Sequence, residues 1–170
     1  MKKYYSYEQI HKLIETTANQ IQKEYRPDYI ISISGGGSIP SRILRTYLKV
    51  PILCVGLVLY SNDNTQEGKP KITQWFDTIN QENIKGKKVL VVDEVDDTRK
   101  TLSCCVKELW KCGVEDIGVM VIHNKIKQKL AKLAIPNEKY FVCEQIEDIW
   151  INYPWECNDM NNYDKLYKTE

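Results

Sequence analysis

One segment constrains this chain more than any other: an apolar, β-branched run that ends directly in acid. Val89-Leu90-Val91-Val92 leads into Asp93-Glu94-Val95-Asp96-Asp97, and that into Thr98-Arg99-Lys100-Thr101-Leu102. Lys88 to Val92 reads as a strand buried on both faces, as in a parallel sheet. Carboxylates this close repel, and burying them is costly unless cations or hydroxyl donors compensate. The imbalance is local. The 24 Lys and Arg against 23 Asp and Glu leave a net charge of +1, yet four of the acids fall within positions 93–97. A neutral chain also gives no basis for a polyanion-binding surface, so neither nucleic acid nor a membrane surface is an expected partner.

The rest of the chain supplies an α/β frame for this segment. Ser6 followed by Gln9 fits a capping box. Ile10, Leu13, Ile14, Thr17, Ile21 and Tyr25 then recur at helical spacing, which predicts a helix over 6–25. Tyr29 to Ile33 reads as a strand, ended by Gly35-Gly36-Gly37. Pro40 opens a second helix to about Leu48. Val50 to Tyr60 is a strand region, 61–70 a polar loop and Lys71 to Phe76 a further strand. A helix is expected from about Thr98 to Lys111 with Leu102, Val106 and Leu109 inward, stopped at Cys112-Gly113. Ile117 to Ile122 and Tyr140 to Cys143 complete the strands, and the polar tail after Trp155 reads as loosely ordered.

Strands alternating with helices imply a mainly parallel central sheet flanked by helices. At 170 residues and 42% hydrophobic content this is one domain with one sizeable core. Six cysteines without a C-x-x-C pair read as buried free thiols rather than a disulfide framework. With no apolar h-region after the N-terminal lysines, and no apolar stretch near the ~20 residues of a membrane span, a cytoplasmic protein is expected.

Ligands of open parallel sheets sit beyond the carboxyl ends of the strands. Both the glycine run 35–37 and the acidic run 93–97 fall at such ends. The acids offer oxygens to a divalent metal and acceptors to sugar hydroxyls. The N–H groups at Thr98 to Thr101 open a helix and favour an anion. Together they fit a ribose 5-phosphate with Mg²⁺, whereas a lone acidic turn would be an ordinary helix cap with a solvated loop.

The strand–acid–acid–hydroxyl order resembles the phosphoribosyl pyrophosphate signature of type I phosphoribosyltransferases. The resemblance implies that Asp93 and Glu94 hold the ribose hydroxyls and the metal. It implies that Asp97 is the general base and that Thr98, Arg99, Lys100 and Thr101 cradle the 5′-phosphate. Arg99 stands where the usual signature has glycine, as in the fungal-type hypoxanthine-guanine branch. A bulky residue there is expected to force a right-handed turn or a differently shaped loop. It also offers a charge to the phosphate. Asp96 has no role in the signature and reads as solvated.

Gly35 and Gly36 resemble the family's pyrophosphate loop, which often holds a non-proline cis peptide, here expected at Gly35–Gly36. Alone, the run reads equally as a tight turn. Trp150-Ile151-Asn152-Tyr153-Pro154-Trp155-Glu156 is similar to the purine segment of xanthine-guanine and fungal-type hypoxanthine-guanine enzymes. That places Trp150 against the purine ring, Ile151 at the backbone carbonyls reading its exocyclic group, and Lys125 on the 6-oxo oxygen. His123 reads as packed. Loop 61–70 matches the family's mobile hood loop, with Lys69 and Lys71 beside it. A small hood of N- and C-terminal segments is implied. The resemblance thus implies a 6-oxopurine phosphoribosyltransferase of purine salvage, using Mg²⁺ and assembling as a dimer or tetramer. The principal alternative is a non-catalytic regulator that senses phosphoribosyl pyrophosphate on the same fold.

Overall fold

The computed structural model describes residues 2–60, 68–135 and 139–168. After β1 (Lys2–Tyr4), helix α1 runs Tyr7–Glu24. Its capping box is formed: Ser6 Oγ accepts from Gln9 N, and the Gln9 side chain accepts from Ser6 N. Six strands form the main sheet in the order β4-β3-β2-β5-β6-β7. They are β2 (Tyr29–Ile33), β3 (Ile52–Tyr60), β4 (Lys69–Gln74), β5 (Lys88–Asp96), β6 (Asp116–Lys125) and β7 (Tyr140–Ile146). Only β4 runs antiparallel to its neighbour. The connections carry α2 (Ser38–Leu48), α3 (Thr78–Ile84) and α4 (Lys100–Lys111).

Both faces of the sheet are covered, which is why β5 is continuously apolar before its acids. Side chains alternate along a strand. Leu90 and Val92 pack with Ile10, Ile14 and Leu44 of α1 and α2. Val89 and Val91 pack with Ile84, Leu102, Val106 and Leu109 of α3 and α4. Central strand β2 lies between β3 and β5. The chain leaves β2 through α2 to one side and leaves β5 through α4 to the other. Order reverses between these two strands, and their carboxyl ends carry the glycine and acidic runs.

Several boundaries differ from the sequence expectations. β5 continues through the acids to Asp96, because their backbones pair with β6: Val95 with His123 and Asp96 with Asn124. Helix α4 accordingly starts at Lys100, two residues later than expected. The short helix α3, capped by Asp77, went unread. Only Cys105 of the six free cysteines is buried, and Cys54 is exposed. Residues 61–67 of the expected hood loop lie outside the described residues, while Lys69 and Pro70 already belong to β4. No cis peptide occurs among the described residues, so the expected one at Gly35–Gly36 is not found.

The tail is ordered rather than loose. β8 (Trp150–Asn152) pairs in parallel with β1 as a second small sheet, and a 3₁₀ turn (Pro154–Glu156) and α5 (Met160–Lys168) follow. Tyr163 fixes α5 in place: its buried hydroxyl lies 2.6 Å from Asn152 O and 2.9 Å from Tyr5 O.

His123 joins this terminal layer to the main sheet and is packed, as expected, with 0% exposure. Tyr153 Oη donates to Glu94 O at 3.2 Å and lies 2.7 Å from His123 Nδ1. Buried between the Tyr153 hydroxyl and the Glu144 carboxylate, the imidazole is neutral near pH 7. Burial lowers its pKa from 6.5 to about 4, outweighing the Glu144 carboxylate 3.5 Å from Nε2; nearby Lys3 adds to the lowering. The unfolded chain takes up a proton near pH 6.5 that the folded chain refuses until about pH 4. Stability from this group is thus complete above pH 6.5 and drains away as pH falls toward 4, by on the order of 3 kcal/mol. Urea unfolding should show the wild-type midpoint falling between pH 7 and pH 5, and His123→Asn, which keeps a donor but does not titrate, should flatten that slope. An unchanged slope would contradict this role.

Candidate active site

The carboxyl ends of β2 and β5 meet through the glycine run. A Cβ on Gly36 would overlap the Glu94 carboxylate, and one on Gly37 would come within 2.5 Å of Val92 O. Gly35 takes φ +95°, open to glycine at little cost. Gly36 therefore lies directly against the acids, with Gly35 beside it in the chain. Beside them, the run from Asp93 through Arg99 lines one cavity of about 180 Å³ with Leu59, Thr101 and Leu102. The first-turn N–H groups of α4 lack intrahelical acceptors and bring the positive end of the helix dipole to this cavity. Seven of the expected phosphoribosyl-site positions are thus brought together, and Lys100 opens the helix behind them.

The four acids are compensated very unequally. Asp96 is 1% exposed, not solvated as expected. Its Oδ2 accepts from Arg99 Nε at 2.8 Å and Tyr140 Oη at 2.6 Å, and Lys129 Nζ lies 3.6 Å from Oδ1. Arg99 is left-handed, φ +69°, contrary to the expected right-handed turn. A side chain in that region costs roughly 1–2 kcal/mol. The two bonds to Asp96 and the stacking on Tyr140, 5.0 Å to the ring centre, hold it there. The guanidinium is thereby engaged by Asp96 and Tyr140, while Arg99 also lines the cavity. Lys129 completes the brace by donating to Asp96 O, Asp97 O and Lys125 O.

Asp97 is met by two lysines, Lys127 at 2.8 Å and Lys125 at 3.6 Å. Both lysines also reach Asp148, at 3.0 and 3.6 Å. Asp148 stands two residues before Trp150, whose side chain is 64% exposed, while Ile151 is buried beneath. Of the expected base-reading residues, Lys125 contacts both the acidic run and Asp148, and Trp150 and Ile151 follow Asp148 closely in the chain. Sequence reasoning missed Lys127, Lys129, Asp148, Tyr140 and Tyr153. The alternation Lys125-Ile126-Lys127-Gln128-Lys129 was the available signal, since it carries three lysines out of a strand toward the acids.

Among the described residues no Lys, Arg or His forms an ion pair with Asp93 or Glu94. Burial, then the adjacent Glu94, pushes the Asp93 carboxyl well above its usual range. Burial and Glu94 likewise raise Glu156. Among the described residues there is no group of three or more His, Cys, Asp or Glu side chains that could hold a metal. Mg²⁺ needs fewer: it is often held by one or two carboxylates, with substrate and water supplying the other oxygens. The pair Asp93 and Glu94 fits that pattern.

A family model described as the phosphoribosyl transferase domain matches residues 2–159. The chain belongs to the phosphoribosyltransferase family. It is 41% identical to the hypoxanthine-guanine phosphoribosyltransferase of Schizosaccharomyces pombe, over 95% of this chain and 92% of that protein. It is also 41% identical to xanthine phosphoribosyltransferase 1 of Saccharomyces cerevisiae, over 98% of this chain and 95% of that protein. Among solved structures, a hypothetical protein from Neisseria gonorrhoeae with bound ppGpp superposes with a TM-score of 0.91 at 41% identity, covering 99% of this chain and 97% of that one.

Removing the Asp96 carboxylate would leave Arg99 and Lys129 facing each other without an acid. Asp96→Ala is expected to cost about 3 kcal/mol in urea unfolding. The double variant with Arg99→Ala should cost less than the two single changes together. Strict additivity would show that the brace is not a unit.

Proposed function

We propose that this chain transfers the 5-phosphoribosyl group of phosphoribosyl pyrophosphate to N9 of a 6-oxopurine, giving the nucleoside monophosphate and pyrophosphate in purine salvage. The observation that carries this reading is the 3.6 Å contact between Lys125, proposed to meet the 6-oxo oxygen, and Asp97, the proposed base. The names of the two yeast relatives, which specify hypoxanthine-guanine and xanthine transfer, support it. The ppGpp of the Neisseria protein combines a guanine, a ribose and pyrophosphate groups, the same parts this site is proposed to hold.

In this reading the α4 amides from Thr98 to Thr101 receive the 5′-phosphate, and the backbone of Gly35 and Gly36 faces the pyrophosphate. Asp93 and Glu94 accept the ribose hydroxyls and hold Mg²⁺, which when bound neutralises charge on the departing pyrophosphate. Trp150 covers the purine face, a contact worth ~1–3 kcal/mol. Lys125 donates to the 6-oxo oxygen, and backbone at Ile151 faces the exocyclic group. As the C1′–O bond to pyrophosphate loosens, N9 attacks the opposite face and Asp97 receives the N7 proton. Lys127 holds the Asp97 carboxylate in place for that transfer. Arg99 acts by shaping the loop.

No described helix is long and apolar enough to cross a membrane. A cytoplasmic location and assembly as a dimer or tetramer complete the reading. Exposed Val58 and Ile79 offer apolar surface for that assembly.

General-base help is typically worth 10²–10⁴-fold. Asp97→Asn should therefore lower kcat by at least ~100-fold while KM for phosphoribosyl pyrophosphate changes little. Wild-type turnover in that variant would sink the assignment of Asp97.

A further inference from the structure

A second cavity, of about 660 Å³, shares Arg99 with the candidate active site. Its volume falls in the roughly 300–1,000 Å³ range of small-molecule sites. Among the described residues Arg99 alone lines both cavities. Arg99, Lys129 and Lys132 bring three cations to the second one, and no Asp or Glu is among its described lining residues. Leu133, Ile135 and Tyr140 give it apolar surface. The segment carrying Lys132 and Leu133 is fastened to the phosphate loop and α4 at three points. Leu130 N donates to Thr98 O at 3.0 Å, Ser103 Oγ to Lys132 O at 2.8 Å, and Trp110 Nε1 to Ala134 O at 2.7 Å. The wall of this cavity is thus fixed to the helix whose first turn faces the acids.

The three cations meet too little negative charge. One buried carboxylate, Asp96, serves both Arg99 and Lys129. Lys132 is exposed and forms no ion pair among the described residues. Burial holds the Lys129 ammonium below its ordinary pKa although Asp96 opposes the shift, and Arg99 adds to the lowering. Arg99 directs Nε and one terminal nitrogen at Asp96. Its other terminal nitrogen keeps two N–H donors for a ligand.

We propose that this cavity is an effector site for a small organic anion with a flat apolar body, such as an aromatic carboxylate, sulfonate or phosphate ester. The anionic head meets Arg99 and Lys132. Lys129 contributes charge, since its three donors already lie on backbone carbonyls. The body packs on Leu133, Ile135 and Tyr140. An anion on the guanidinium competes with Asp96, whose bonds hold Arg99 at φ +69°. Occupancy therefore loosens the turn that presents the α4 amides and weakens the hold on a 5′-phosphate. That consequence rests on the phosphoribosyl pyrophosphate reading above, whereas binding of the anion does not. A loose cluster of surface cations would, by contrast, take any anion and leave the phosphate loop untouched.

The test titrates the wild type and Lys132→Glu with anilinonaphthalene sulfonate, an aromatic anion whose fluorescence rises on binding. One saturable site is expected in the wild type. Lys132→Glu, which reverses an exposed charge outside the catalytic machinery, should weaken it by about 10-fold or more and leave kcat without dye unchanged. Inorganic sulfate, which lacks the apolar body, should not displace the dye at equal concentration. By calorimetry, saturating dye should raise the Kd for phosphoribosyl pyrophosphate with Mg²⁺ by about 5-fold or more and then level off, and the dye should weaken by the same factor in return. Equal dye affinity in Lys132→Glu, displacement by sulfate, an unchanged or lower Kd, or a Kd that climbs without limit as two ligands compete for one site would each overturn the proposal while leaving the transferase reading intact. A wild type that takes up the dye through Lys132 but never binds phosphoribosyl pyrophosphate would overturn the transferase reading and the coupling, and would keep the anion site.

Discussion

The structure depends on how the negative charge at the end of β5 is shared out. A buried strand delivers four carboxylates within five residues, and each meets a different fate. Asp96 turns inward to Arg99, Tyr140 and Lys129. Asp97 is met by Lys125 and Lys127. Asp93 and Glu94 lie against each other and the Gly36 backbone, with no ion pair to a Lys, Arg or His among the described residues, and burial makes Asp93 resist ionisation. Charge that the protein leaves uncompensated is charge reserved for ligand. The proposed ligand brings hydroxyl donors and a cation to that same pair.

The compensated acids do the structural work that frees the other two. Asp96 keeps Arg99 in a left-handed conformation, which turns the chain sharply enough for α4 to begin at Lys100 with its amides facing the cavity. Lys129 ties the backbone of the loop to the end of β6. From the opposite side, Tyr153 bonds Glu94 O, so the terminal layer also holds the acids in place. Loop geometry here is set by buried polar contacts from three elements. Such networks rigidify when every member is satisfied.

The frame was legible in the sequence because its signals are local and periodic. The capping box at Ser6, the apolar face of α1 and the runs at β2 and β5 need no tertiary partner to be read. The glycine and acidic runs were read at the carboxyl ends of two apolar runs for the same reason, and those runs are neighbouring strands β2 and β5. What escaped depends on contacts distant in the chain. Asp96 reads as solvated until Tyr140, 44 residues on, is seen to donate to it. Arg99 reads as a barrier to positive φ until Asp96 is seen to reward it. The tail reads as loose because its polarity hides Tyr163, whose hydroxyl reaches Tyr5 across 158 residues. Asp148 was invisible for the same reason, since its lysine partners stand at and just beyond the end of β6. The α4 boundary was misplaced because acids seldom continue a buried strand, and here β6 pairing carries them.

The most direct measurement is pyrophosphate release from phosphoribosyl pyrophosphate with Mg²⁺, followed together with nucleotide formation, with and without a 6-oxopurine. Release that requires the purine and matches the nucleoside monophosphate one for one is the predicted result. Tight binding of phosphoribosyl pyrophosphate with no release in the presence of guanine, hypoxanthine or xanthine would contradict it, and would make the site a sensor rather than a transferase.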